Sequence, residues 1–228
     1  MKKEKSGSEK FGGSHTQRAY EGIKQMLFSN AISPGQKISY RQLAEHLGMS
    51  MTPVIQALKN LEFQGLVRYE PNKGYSTEPM SMQEVQEIYD MREMIERSLL
   101  PNVIDNLTGE GIRRLKDLLE PAEVGEDDQA LNQRLIRDKE FHLVLASLSG
   151  RRIPCQMLRY LFDLLYLKYR GSLLFIHSED PVGSQHHKIF EAVVSHDPDE
   201  ADKALRDHFR QIKAQALKSL GKLMAEKR

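Results

Sequence analysis

Apolar and polar residues alternate along this chain with two different periods, and the change between them locates its elements. Leu43, Ala44 and Leu47 share one face of a short helix that starts at Tyr40, where Ser39 and Gln42 form a capping box. Gly48 supplies a turn, and Ser50 stands at the cap position of a second helix with Pro53 in its first turn. Val54, Ala57, Leu58 and Leu61 repeat at helical spacing until Gly65 stops that helix. Two β-type runs follow, Leu66–Tyr69 and Tyr75–Thr77, joined through Asn72-Lys73-Gly74. An earlier amphipathic stretch places Ala19, Ile23, Met26 and Leu27 on one helix face.

After Pro79 the pattern becomes helical throughout. Ser81 with Glu84 makes another capping box, and the spacing predicts a long helix over 82–106. Further helices are expected over 109–121, 127–148, 152–175, 182–196 and 198–221, with breaks at Leu107-Thr108-Gly109, Val124-Gly125, Ser149-Gly150, Asp180-Pro181 and Asp197-Pro198. No strand alternation persists there. The expected architecture is mainly α: an N-terminal winged helix-turn-helix over 15–79 and a C-terminal all-helical bundle of six or seven helices over 82–222. Residues 1–14 read as a flexible tail.

The first of these units resembles the GntR family of bacterial transcription regulators. The resemblance rests on Pro34-Gly35, Arg41-Gln42-Leu43-Ala44, Gly48-Met49-Ser50, Thr52-Pro53-Val54, Ala57-Leu58, Leu61, Gly65-Leu66-Val67 and Gly74. It implies a second helix that enters the major groove of DNA. The alternative is a winged module used only for protein contacts. Family members commonly carry arginines just after the capping serine and one turn later, where this chain has Met51 and Ile55, neither of which donates a hydrogen bond. The residues left for DNA are Thr52 and Gln56 on the second helix, Arg41 on the first, and Lys73 with Gly74 at the wing. Gln56 can read adenine, and Met51 and Ile55 can meet thymine methyl groups. Gln56 and Lys59 can equally lie on a solvated face. Each missing bidentate contact forfeits about 1–3 kcal/mol of discrimination, so the family's usual operator is not expected to be read unchanged.

In the second unit four residues stand out. Asp138 and His142 are one helical turn apart and project from one face. His186 is in phase with Ile189, Phe190 and Val193, and His208 lies between Leu205 and Ile212. Three imidazoles and a carboxylate converging in a bundle suit a divalent ion, with zinc, nickel or manganese compatible. His187 rivals His186, although the apolar phase favours His186. A histidine on an apolar face can also be a hydrogen-bonded core residue. His15, His46, His177 and His196 have no comparable setting and are expected at the surface or in loops.

The stretch HHKIFEAVVSHDPDEADKALRDHF resembles the end of the FCD domain, the effector domain of the FadR branch of GntR regulators. That resemblance implies a metal on Asp138, His142, His186 and His208. It also aligns Tyr89–Glu96 with the family's first effector helix, which makes Arg92 a candidate clamp for a carboxylate effector. Otherwise Arg92 pairs with Glu96 one turn on, at the surface. Two departures are Pro101, expected to kink or split its helix, and Arg151, which stands after Gly150 where many members have asparagine.

Composition refines this picture. The chain has 228 residues and a formal net charge of +1. Residues 1–80 hold 11 Lys+Arg against 7 Asp+Glu, net +4, and residues 81–228 hold 22 against 25, net −3. The basic excess sits with the helix-turn-helix, where phosphates need it. One cysteine gives no disulfide framework, no apolar run approaches the ~20 residues of a membrane span, and the basic start lacks an apolar core. A cytoplasmic protein is expected. There is no nucleophile motif or phosphate loop, so an enzyme is not expected.

The sequence thus points to a homodimeric, ligand-responsive regulator of a double-stranded DNA operator, with repression the expected mode and a small carboxylate metabolite as effector. Its rivals are a metal sensor in which the ion is the signal, a metalloenzyme with an appended DNA module, and a purely structural metal.

Overall fold

The computed structural model describes residues 14–29, 31–79, 81–119, 128–168 and 182–226. Almost all of the expected tail, the breaks at 124–125 and 180–181, His177 and the last part of the 152–175 helix lie outside the described residues. The chain divides into two compact units, Met1–Glu78 and Pro79–Arg228.

In the first unit, α1 (His15–Phe28) buries Ala19, Ile23 and Leu27, α2 (Tyr40–His46) buries Leu43 and Ala44, and α3 (Met51–Phe63) buries Val54, Ala57, Leu58 and Leu61. These apolar stripes close one core, completed by Leu66, Val67 and Tyr75. Ser14, expected at the end of the tail, instead caps α1: its hydroxyl accepts from the Gln17 amide. Both glycine stops are left-handed, with φ of +62° at Gly48 and +69° at Gly65. Each ends its helix in a Schellman turn, through Met49 N–H to the Ala44 carbonyl and Leu66 N–H to the Leu61 carbonyl.

The wing consists of β2 (Arg68–Glu70) and β3 (Gly74–Ser76), paired antiparallel with Tyr69 opposite Tyr75. A third strand, β1 (Lys37–Ile38), pairs with β3 on its other side and gives the order β1-β3-β2. Sequence analysis missed β1 because two residues are too few to set a period.

Ser50 departs from expectation. It occupies the cap position of α3 in extended backbone but makes no side-chain cap bond. The other serine caps, Ser14, Ser39 and Ser81, all accept from the amide three residues on. In α3 that position is Pro53, which has no amide hydrogen to give.

The second unit contains α4 (Met82–Asp105), α5 (Gly109–Leu119), α6 (Asp128–Leu148), α7 (Arg152–Asp163), a π-helical turn (Leu164–Lys168), α8 (Val182–Val194) and α9 (Pro198–Glu226). Pro101 does not split α4, which runs unbroken past it. It lies near the C-terminal end on the exposed side, where the freed carbonyl can be hydrated. Arg151 takes the cap position of α7 without a side-chain cap bond, and Ser149 receives its backbone amide instead. Polar ties fix α4 against α9: Arg97 grips Asp202 through Nε at 2.6 Å and Nη2 at 3.1 Å, and Lys213 reaches Asp90 at 2.5 Å. Among the described residues, no helix is long and apolar enough to cross a membrane.

Candidate metal centre and DNA-binding unit

Helices α4, α6, α8 and α9 turn their inner faces toward one point. The spacing of Tyr89, Arg92, Glu96, Leu99 and Val103 keeps all five on the buried side of α4. Asp138 and His142 lie one turn apart on α6, His186 lies on α8 and His208 on α9. All four are buried, with one donor atom of each within 4.8 Å of the others. His142 Nε2 is 3.2 Å from both His186 Nε2 and His208 Nε2, and Asp138 Oδ1 lies 3.4 Å from His186 Nε2 and 3.8 Å from His142 Nε2. Donors held about 2.1 Å from an ion stand about 3.0–3.4 Å apart at adjacent positions, which the 3.2 and 3.4 Å spacings match and the 3.8 Å spacing exceeds. His187, the rival on α8, is exposed, as are His15, His46 and His196.

Each donor is gripped from behind. His142 Nδ1 lies 2.5 Å from Glu96 Oε2, and His208 Nδ1 lies 2.9 Å from Gln185 Oε1. The Gln185 amide nitrogen donates to Gln211, which turns its oxygen toward His208. Tyr166, on the π-turn, donates its hydroxyl to Asp138 Oδ2. The His186 ring stacks on Phe141 with centroids 4.3 Å apart. Asp138 Oδ1 is left buried without a hydrogen-bond partner. Ring protons can link these imidazole nitrogens in pairs, whereas a cation would take up the bare carboxylate oxygen and all three lone pairs at once, so the donor set suits a metal.

The electrostatics agree. Burial pushes His186 down to about 3, with a charge on His142 adding to the effect and Asp138 opposing it. Burial, seconded by His186 and His142, takes His208 well below the ordinary histidine range. Burial favours the neutral form of Asp138, but His142, His186, Arg92 and the Tyr166 hydroxyl together hold it ionised below its usual value. His186 and His208 therefore present lone pairs, and Asp138 a negative charge, at neutral pH.

Arg92 is fully buried in the same region. Its Nη2 is 3.4 Å from Glu96 Oε1, its guanidinium lies 3.9 Å from the Phe162 ring centroid, and Nε and Nη1 have no hydrogen-bond partner. The Arg92–Glu96 pair expected at the surface thus forms in the interior, because both residues lie on the apolar face of α4. Tyr89, whose hydroxyl is also buried without a partner, flanks the guanidinium. Sequence reasoning missed Tyr89, Tyr166 and Gln185 and misplaced Glu96. The apolar phase of α4 could have placed Glu96 and Tyr89 inside; no local pattern signals Tyr166 on a π-turn.

In the first unit, Arg41, Thr52 and Gln56 are exposed, with Thr52 at the start of α3 and Arg41 at the start of α2. The Thr16 hydroxyl donates to Gln56 Oε1 at 2.7 Å, an acceptor that bidentate contact with adenine would need back. Lys73 is 78% exposed and rests on Glu70 at 2.7 Å, next to Gly74 with φ +85°. Met51 is exposed and Ile55 half-buried.

The family model described as "Bacterial regulatory proteins, gntR family" matches residues 15–76, and that of the FCD domain matches residues 87–211. The chain belongs to the GntR family. It is a DNA-binding transcription regulator of the kind that carries an FCD domain, and the matched families and relatives are regulators rather than enzymes. It is 29% identical over 195 residues to the HTH-type transcriptional regulator YdhC of Bacillus subtilis, covering 83% of this chain and 85% of that one. It is 24% identical over 197 residues to the repressor GlaR of Escherichia coli, covering 83% and 90%. The solved structure of E. coli McbR superposes with a TM-score of 0.77 over 91% of this chain and 99% of that one, at 23% identity, and so shares its fold.

Proposed function

We propose that this GntR-family regulator is a homodimeric repressor whose FCD domain binds a divalent metal on Asp138, His142, His186 and His208 and senses a small carboxylate metabolite beside it. The observation that carries this reading is a set of buried polar atoms without partners around one point: Asp138 Oδ1, Arg92 Nε, Arg92 Nη1 and the Tyr89 hydroxyl. A cation answers the first, and an anion answers the unpartnered N–H groups of the guanidinium. When bound, the metal would supply a Lewis-acidic point for an anionic ligand, because four protein donors leave positions open on an ion that takes six. Arg92 orients the carboxylate, and Phe162 and Tyr89 exclude water from it. On the DNA side, Thr52 and Gln56 meet base edges, while Arg41, Lys73 and the Gly74 backbone meet phosphates. The effector acts by population shift, binding better to one arrangement of the dimer and so changing the spacing of its recognition helices.

The test is metal content and operator binding measured on the same full-length preparation. The parent should hold one metal per chain, and the His186→Ala/His208→Ala double variant none. Unchanged metal content refutes the ligand set. Operator affinity that follows the ion with no acid present would make the metal the signal. A lower melting temperature on chelation, with acid affinity per folded molecule unchanged, would make the metal structural.

A further inference from the structure

Among the described residues, three side chains brace the donors by hydrogen bonds, and Glu96 differs from the other two. Gln185 and Tyr166 are neutral, whereas Glu96 is a carboxylate with one oxygen toward His142 Nδ1 at 2.5 Å and the other toward Arg92 Nη2 at 3.4 Å. Both partners are fully buried and the Glu96 side chain is 2% exposed, so these contacts are shielded from bulk solvent.

We propose that Glu96 is a positioning residue that fixes His142 in its metal-ligating form and couples metal affinity to whatever anion sits on Arg92. The inference rests on the reading of the Asp138–His142–His186–His208 cluster as a metal site. The 2.5 Å contact needs one proton between Glu96 Oε2 and His142 Nδ1, and with the carboxylate as acceptor that proton lies on Nδ1, leaving the lone pair on Nε2, which faces His186 and His208. A neutral acceptor would choose the same tautomer, as Gln185 does for His208. The charge of Glu96 does more: it polarises the ring and strengthens its donation to a cation.

Arg92 draws on that same charge. Its contact with Glu96 is longer than the 2.7–2.9 Å usual for a charge-assisted bond, so the carboxylate is committed more strongly to His142. An anion on the unpartnered Nε–H or Nη1–H groups of Arg92 offsets the guanidinium charge and returns more of the Glu96 charge to His142. Metal and anion then favour each other, and the coupling is reciprocal by thermodynamic necessity.

Two measurements on the full-length protein test this. Nitrogen-15 NMR of histidine-labelled, metal-free parent should show His142 protonated at Nδ1; a proton on Nε2 overturns the proposal. Zinc affinity, read by competition with a chromophoric chelator, should fall about tenfold to a hundredfold in Glu96→Gln. It should rise in Arg92→Met, and that rise should be at least about threefold smaller when Glu96→Gln is already present, the signature of a coupled pair. Additive effects, or a Glu96→Gln variant within threefold of the parent, overturn it. If a single variant fails to fold, the Arg92→Met/Glu96→Gln double variant, which buries neither charge, still decides: it should bind zinc at least about threefold more weakly than the parent, and equal affinity overturns the proposal. A parent that binds no zinc, nickel or manganese removes the metal reading and this inference together. A parent that binds while the variants match it removes only this inference.

Discussion

His186 and His208 are neutral in the folded protein far below the pH at which a free histidine charges, because burial penalises the imidazolium. The unfolded chain therefore takes up protons at these rings below about pH 6.5, and the native metal-free chain does not, down to about pH 3 for His186. Stability must fall as pH drops through that window, by up to about 1.4 kcal/mol per pH unit for each ring. Asp138, held ionised below its usual 3.8, acts in the same sense only at the acidic end. Metal-stripped protein should thus unfold at lower urea at pH 5 than at pH 7; a flat profile would contradict the burial of these neutral rings. Asp138, His142, His186 and His208 were all legible as single residues, since a turn spacing and an apolar phase mark them. What braces them was not, because Glu96, Gln185 and Tyr166 become outer partners only through contacts across 46, 23 and 28 residues.

At the scale of elements, local chemistry carried most of the information. Caps, glycine stops and apolar stripes lie within one or two turns of the residues they control, so boundaries such as Tyr40, Met51 and Met82 were readable. The cap of α3 shows where two local rules collide: Ser50 invites a bond that Pro53 cannot make. Ser39→Ala should therefore cost about 1 kcal/mol, the usual worth of an N-cap, and Ser50→Ala only a few tenths. Equal losses in urea denaturation would mean Ser50 caps after all. The short β1 was out of reach because its pairing with β3 spans about 38 residues and repeats nothing locally. The π-turn after α7 was read as continuous helix because periodicity does not distinguish one wider turn.

For the molecule as a whole, two compact units divide the work: a basic one that meets DNA and an acidic one with a buried polar centre. If the second unit senses an acid, Arg92→Ala should weaken binding of the acid that acts on the parent while leaving operator affinity without acid nearly intact. Anisotropy titrations with and without acid separate the two, and equal loss of both would indicate misfolding instead. The sequence by itself determined the two-part plan, the helical periods, the caps at Ser39 and Ser81, the glycine turns and the four residues that cluster in the second unit, because each depends on neighbours within a few residues. Tertiary structure alone decided which nitrogen of His142 faces the centre and how closely His186 and His208 approach it. Those outcomes depend on how closely α4, α6, α8 and α9 approach one another, with donors 44 and 66 residues apart brought to 3.2 Å, and no local pattern encodes a distance of that kind.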